Sequence, residues 1–326
     1  MNSTPDEIGK PAARVTIVTP VYNGRDYIAE TVDSVLAQDV EGLDYTVIDD
    51  GSTDGTAELL AERYGDRIRL VRQPNQGEQA TTNRGIAEAS SDIVAVVNAD
   101  DPIRPGLVEM ALRAFEADPD LVAAYPDWDM IDANGRMIKR VITHEFELRV
   151  HLEQHLCLPG PGAFFRRSAL QGQPARNRLY RYTGDYEMWL RLGLRGRIKR
   201  LPHVLATWRR HDAGGSIAGI SPEMARNKID MIEAFFARPD LPPDIAALRR
   251  SALGTAYYEA ALLAIHNPAI PGRRYMLNSL RLQPFWPRHF LPERQRSWLR
   301  VLYVLMPELS RPTYQLSCRM GLVSPR

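Results

Sequence analysis

Two pairs of adjacent carboxylates, Asp49-Asp50 and Asp100-Asp101, each follow a β-forming run and precede turn residues. Tyr45-Thr-Val-Ile48 reads as a strand, and Gly51-Ser-Thr-Asp-Gly55 after it as a tight turn into a helix. Its glycines tolerate positive φ, while Ser52, Thr53 and Asp54 can cap the helix. Asp92-Ile-Val-Ala-Val-Val97 leads in the same way to Asn98-Ala-Asp-Asp101. If both strands are parallel members of one open sheet, the four acids arrive outside its carboxyl ends, where such sheets bind ligands. Like charges gathered there call for a hard divalent cation. Mg²⁺ or Mn²⁺ held by one or two carboxylates keeps positions open for phosphate oxygens. The expected ligand is therefore a metal-bound diphosphate, with Asp49 or Asp50 left to bond a base or ribose. Asp100-Asp101 could instead cap the helix beginning near Pro105, but capping employs one acid, not two.

The elements that must position these acids alternate. Arg14 to Asn23 reads as a buried strand, followed by a helix with Ile28, Val32, Val35 and Leu36 on one face. After the Asp49-Asp50 strand come a helix with Leu59, Leu60 and Tyr64, a strand Ile68 to Val71, and a polar turn Gln73 to Gly77. A helix through Ile86 precedes the Asp100-Asp101 strand; a helix carrying Leu107, Met110, Ala111 and Phe115 and a strand Leu121 to Tyr125 follow it. This alternation predicts an α/β fold with a mostly parallel sheet flanked by helices. Beyond residue 126 the rhythm loosens into a turn at Asp132 to Gly135, a stiff loop Leu158 to Gly162 and a short strand Ala163 to Phe165. Thr183 to Leu192 begins with capping residues and continues as a helix, with Met188, Trp189 and Leu192 expected in the core. From Ser221 onward the pattern is helical: Met224 to Phe236, Asp244 to His266, Gly272 to Leu282 and Glu293 to Leu305.

The 326 residues suffice for one large domain or two modest ones, and a net charge of +1 gives no sign of a nucleic-acid partner. Two cysteines, Cys157 and Cys318, are too few for a disulfide framework or a zinc site, so a reducing compartment is expected. The polar start resembles no secretory signal, and no run is long enough to span a bilayer. A cytoplasmic protein is expected, peripheral at most on the inner membrane face. That contact would come from residues 273–326, where ten Arg stand against two acids and alternate with Tyr275, Phe285, Trp286, Phe290, Trp298 and Tyr303. Such mixing suits an anionic lipid surface; a helical cap with a solvated basic face would read the same.

Thr19-Pro-Val-Tyr-Asn23, Ile48 to Thr56, Asn83-Arg-Gly85, Asn98-Ala-Asp-Asp101, Gly184-Asp-Tyr-Glu187 and Arg210-His211 occur in this order. Together they closely resemble glycosyltransferase family 2, whose catalytic domain has the GT-A fold. The resemblance covers about residues 14–216, which it makes the catalytic domain. Residues 14–126 would form the nucleotide-binding half and 127–216 the acceptor half, with a polar leader (1–13) before and a helical region (217–326) after. It implies that Thr19, Pro20 and Tyr22 line the nucleotide pocket, that Asp50 meets base or ribose beside Asp49, and that Asn83 belongs to the donor site. Asp100 would coordinate the metal with His211, and Asp185 would be the general base. Asp101, Glu187 and Arg210 would support them. Asn98, with Asp100 also in the nucleotide-sugar site, stands where many members carry the first acid of an Asp-x-Asp motif, so one charge is missing there.

The activity implied is inverting transfer from a nucleotide-diphosphate sugar to a hydroxyl of a glycan or lipid-linked glycan. The transmembrane helices and Gln-x-x-Arg-Trp motif of processive synthases are absent from the sequence, which favours single additions. Two other readings compete. A sugar-phosphate nucleotidyltransferase needs a Gly-rich phosphate loop that Val15 to Gly24 does not supply; an inactive glycan-binding or membrane-adaptor module would account for Asn98.

Overall fold

The computed structural model describes residues 13–211, 220–284, 301 and 304–306. Their contacts divide them into two compact units. The described residues of Met1–Phe146, Cys157–Arg178 and Met188–Gly214 form the first unit; those of Glu147–Leu156, Leu179–Glu187 and Gly215–Arg326 form the second. Segments 147–156 and 179–187, expected in the acceptor half, thus group with the C-terminal helices.

The first unit is an eight-stranded sheet: β1 (Val15–Val21), β2 (Leu43–Asp49), β3 (Arg69–Arg72), β4 (Ile93–Val96), β5 (Leu121–Ile131), β6 (Met137–Val141), β7 (Phe164–Arg166) and β8 (Arg197–Arg209). Their order is β3-β2-β1-β4-β7-β5-β6, and β8 pairs with β5. Strands β1 to β4 are mutually parallel. The sheet then reverses at β7, antiparallel to both β4 and β5, while β8 runs parallel to β5. Two reversals cancel, so β1 to β5 and β8 all end at one edge. Four helices, α1 (Ile28–Leu36), α2 (Thr56–Tyr64), α3 (Glu78–Ala87) and α4 (Leu107–Ala117), connect the early strands. Strand β1 is buried along its whole length, as a central strand covered on both faces must be. Its Pro20 causes no loss of pairing. Val18 accepts from Val97 and Val21 accepts from Asp50, so Pro20 turns its missing donor to the β4 side, beyond the last β1–β4 pair. Helix α3 lies so close to β1 that a Cβ on Gly85 would stand 2.2 Å from Val18 Cγ1, which gives the glycine of Asn83-Arg-Gly85 a packing role.

Beyond residue 126 the sheet is more regular than the sequence suggested. The strand expected to stop at Tyr125 continues to Ile131, forms a hairpin with β6, and pairs along its length with the thirteen-residue β8. Strand β8 escapes a sequence reading because Pro202-His203 interrupts it; register shifts there leave those two residues opposite no β5 partner.

The second unit is helical: α5 (Leu148–Gln154), the first turn of α6 (Gly184–Gly193), α7 (Pro222–Phe236), α8 (Pro243–Ala246), α9 (Arg249–Leu262) and α10 (Gly272–Leu282). Ser221 caps α7 by accepting from Met224 N–H at 3.1 Å, with Pro222 at the first helical position. The single helix expected over Asp244 to His266 is broken between α8 and α9, and no Pro or Gly marks that break. Tyr275 packs into the core of this unit, whereas Arg273, Arg274 and Arg281 are exposed. Most of the expected basic-aromatic segment, with the helix Glu293 to Leu305, lies outside the described residues.

Candidate donor and metal site

Four strand ends meet at the common edge of the first unit. The turns after β1 and β2 are bonded to each other: Asn23 (φ 51°) takes Thr53 N–H on its Oδ1 at 2.8 Å and gives its own N–H to Ser52 Oγ at 2.9 Å. Asp54 accepts from Arg25 N–H at 3.1 Å, and Gly24 N–H donates to Thr56 Oγ1. The polar run after Asp50 therefore shapes the rim and leads into α2. Tyr22, just past β1, is 53% exposed there. Pro20 is buried, and Thr19 has no exposed surface; its hydroxyl meets that of Tyr45 at 3.0 Å, which ties β1 to β2.

The adjacent acids separate by role. Asp50 is buried and accepts three bonds: Gln73 Nε2 (2.7 Å) and Gln76 N–H (2.9 Å) on Oδ1, Gly77 N–H (2.8 Å) on Oδ2. It fixes the 73–77 loop, and Gly51 (φ 79°) lets that loop close, since a Cβ there would come within 2.9 Å of Asn75 N. Asp49 is equally buried, with Arg72 Nε at 3.9 Å from Oδ2, and its Oδ1 has no hydrogen-bond partner among the described residues. A buried carboxylate oxygen without a donor is costly unless a ligand or water supplies one. Asn83 exchanges two amide bonds with the backbone of Arg176, at 2.7 and 2.8 Å, and braces the 173–178 loop.

At the β4 end, Asp101 is a brace and Asp100 is presented. Asp101 is buried; its Oδ1 accepts from Arg209 N–H at 2.7 Å and its Oδ2 from the Asn98 amide at 2.9 Å. Burial, followed by the charge of Asp100, pushes the Asp101 carboxyl up to about 7, although these bonds and Arg209 pull it down. The amide at position 98 now has a structural reason: an acid could not donate to Asp101 and would add a third like charge. The Asp100 side chain keeps 27% of its surface, and its Oδ2 lies 2.8 Å from His211 Nε2 at the end of β8. The His211 ring packs against Tyr27, centroids 4.6 Å apart.

Arg209 is the residue that sequence reasoning missed. Its guanidinium is buried, donating to Asp100 O (2.9 Å), Asp132 O and Ala133 O (3.3 Å each) and Glu30 Oε2 (2.6 Å), with its carbon 5.0 Å from the Tyr27 ring centre. Arg210, the expected supporting cation, is exposed, and its N–H bonds Ile131 O. The usable signal was Leu205-Ala-Thr-Trp208, β-formers leading to polar residues as in β2 and β4, but an unrecognised strand could not be phased.

Asp185 and Glu187 belong to the second unit. Asp185 is an exposed carboxylate in the first turn of α6, taking Tyr186 N–H on Oδ1 at 2.7 Å. Glu187 is buried. The Tyr186 hydroxyl donates to His151 O at 2.5 Å, and Asn227 of α7 holds the segment leading to α6 through Tyr182 N–H and Leu179 O.

No group of three or more His, Cys, Asp or Glu suited to a metal occurs among the described residues. Asp100 and His211 nevertheless fit a hard divalent ion that keeps most positions for water and phosphate. Two cis ligands at ~2.1 Å from one ion lie roughly 3 Å apart, close to the 2.8 Å separating these atoms.

Residues 16–172 match the family described as Glycosyl transferase family 2. Chondroitin synthase of Pasteurella multocida is 29% identical over 208 residues, 58% of this chain but only 20% of that one, so the chain spans about a fifth of that relative. Among solved structures, Staphylococcus aureus TarS 1–349 in complex with UDP-GlcNAc superposes with a TM-score of 0.64 at 18% identity, covering 94% of this chain and 92% of that one. The mannosyltransferase of Pyrobaculum calidifontis in complex with GDP-Man and Mn²⁺ gives 0.55 at 19% identity, covering 90% and 84%. With this match beginning in β1 and running through both acid-bearing strand ends, residues 16–172 form a glycosyltransferase family 2 domain, and the chain is built on a GT-A fold.

Proposed function

We propose that this glycosyltransferase moves a hexosyl unit from a nucleotide-diphosphate sugar to a hydroxyl of a glycan or lipid-linked glycan, one unit at a time and with inversion. The observation that carries the reading is the Asp100–His211 pair, at the same sheet edge as the unsatisfied buried oxygen of Asp49 and the exposed Tyr22. The nucleotide sugars named for TarS and the mannosyltransferase support the donor class, and the synthase relative supports a polysaccharide or glycoconjugate product.

In this reading Asp49 takes a donor from base or ribose, Asp50 holds the 73–77 loop that borders the nucleotide, and Tyr22 lies against it. Asp100 and His211 would hold Mg²⁺ or Mn²⁺. When bound, the ion supplies positive charge to the diphosphate as the leaving group gains negative charge. Asp185 takes the proton of the acceptor hydroxyl, whose oxygen attacks the anomeric carbon opposite the diphosphate. One carbon–oxygen bond forms as the other breaks, and configuration inverts. Arg209 keeps Asp100 in place without touching substrate. Asn98, which mildly favoured the non-catalytic alternative, has a structural use in its bond to Asp101.

Release of nucleoside diphosphate from a panel of nucleotide sugars, with Mn²⁺ and a glycan acceptor library, tests this. Asp185→Asn should lower turnover by ~10²–10⁴-fold while leaving donor binding intact. Full activity in that variant refutes the base assignment; no turnover of any donor by the unaltered protein supports the binding module. The contact of residues 273–326 with an anionic membrane stays part of the proposal. No helix of the described residues is long and apolar enough to cross a membrane.

A further inference from the structure

We infer that the β5–β6 hairpin is an interfacial anchor for an anionic lipid surface, separate from residues 273–326. Seven large hydrophobic side chains are exposed among the described residues, and three of them, Met137 (60%), Ile138 (50%) and Ile142 (55%), fall within six positions of this hairpin. Strand β6 is exposed at every position but its last and stands at the edge of the sheet. A register shift leaves Ile138 opposite no residue of β5. Residues 133–142 also carry Arg136, Lys139 and Arg140 and no carboxylate. Arg140 is bonded to buried Asp129 at 2.9 Å, and Asp129 is also paired with Arg104. Arg136 and Lys139 have no ion-pair partner among the described residues.

Clustered exposed apolar side chains mark an interaction surface, and the charges select its partner. A second copy paired edge to edge would set Lys and Arg against Lys and Arg, and cations on an edge strand oppose such pairing. A protein interface draws its binding energy mainly from Trp, Tyr and Arg anchors; no aromatic residue occurs in 133–142, and of its two Arg, Arg140 is already held by Asp129. Aliphatic side chains interleaved with free cations match the boundary between acyl chains and anionic headgroups, which rewards both together.

Pelleting of the full chain with vesicles of phosphatidylcholine alone, or with added phosphatidylglycerol, tests the assignment. Binding should require phosphatidylglycerol. Arg136→Gln with Lys139→Gln should weaken it about 25-fold, at roughly fivefold per cation. Met137→Ser with Ile138→Ser and Ile142→Ser should weaken it by at least ~10-fold. Because these sites are exposed, melting curves should stay unchanged. As a measurement independent of lost affinity, Ile138→Trp should show blue-shifted emission with phosphatidylglycerol vesicles and quenching by brominated acyl chains. The inference is overturned if the glutamine or serine variants bind vesicles like the unaltered chain, if the tryptophan emission does not move, or if the chain binds no vesicle. It is also overturned if these substitutions abolish an oligomer instead, or if a soluble polyanion is bound and lipid is not. None of these outcomes depends on sugar transfer.

Discussion

Arg209 and Arg210 are neighbours of the same type with opposite importance, and burial decides between them. Arg209 supplies donors to three backbone carbonyls and to Glu30 from inside the first unit, whereas the Arg210 side chain is at the surface. Arg209→Ala would leave Asp100, Asp132 and Ala133 carbonyls unpaired and open a cavity beside Tyr27. The expected loss is about 3 kcal/mol, from orphaned acceptors and lost packing, with little from the ion pair to Glu30, whose side chain is 56% exposed. Arg210→Ala should stay within about 0.5 kcal/mol of the parent, as surface changes do. Urea titrations of the two variants check this; equal losses would mean that the network around Asp100 does not depend on Arg209. The residue types at the strand ends were legible in the sequence, but their division of labour was not. Nothing in Asp49-Asp50 or Asp100-Asp101 tells which acid will receive backbone donors from a distant loop and which will be presented.

At the level of elements, the fold was readable where strand and helix periods alternated cleanly. Strands β1, β2 and β4 and helices α1, α3 and α4 follow from hydrophobic spacing and turn residues, and their shared direction puts Asp49 and Asp100 on one edge. Reading failed for β6, β8 and α5. Strand β6 is exposed on nearly every residue and so has no alternation, β8 is interrupted at Pro202-His203, and α5 is seven residues long. Gly85 is a sharper case, because its importance comes from contact across elements. In an isolated helix Gly85→Ala would stabilise by about 1 kcal/mol. Here the new methyl meets Val18 at 2.2 Å, with Ile48 Cδ1 at 3.1 Å behind it. Helix α3 must move off β1, and a net loss of ~1–3 kcal/mol is expected, since overpacking strain exceeds propensity. A rise in melting temperature would show that α3 can shift freely.

For the whole molecule, acid should weaken the second unit through its buried histidines. In the second unit, burial pushes His151 down to about 4, against a bond to Glu147 O that favours its charged form. Burial, helped by the charge of Lys228, pushes His155 well below its ordinary value, and both its ring nitrogens are inaccessible. Unfolded histidine protonates near 6.5, so below that pH the unfolded chain binds more protons than the folded one. Stability is therefore intact above about 6.5 and falls on acidification, by ~1.4 kcal/mol per pH unit for each histidine, until the folded rings also protonate. His155→Asn suits the left-handed backbone there (φ 52°) and removes one titrating ring. Its absolute stability drops with the lost Tyr186 contact, but the stability lost between pH 6.5 and 5.5 should be about 1 kcal/mol smaller; an unchanged loss would show that His155 protonates in the folded state. The proposed sugar transfer depends on Asp100 and His211 gathering a divalent ion for the donor's diphosphate. Calorimetric titration of UDP and GDP, with and without Mn²⁺, into the unaltered chain and Asp100→Ala measures this most directly. Mn²⁺ should tighten one of the nucleotides by at least ~10-fold in the unaltered chain, and Asp100→Ala should lose that gain. Equal affinity with and without Mn²⁺, or a gain that survives removal of Asp100, would contradict it.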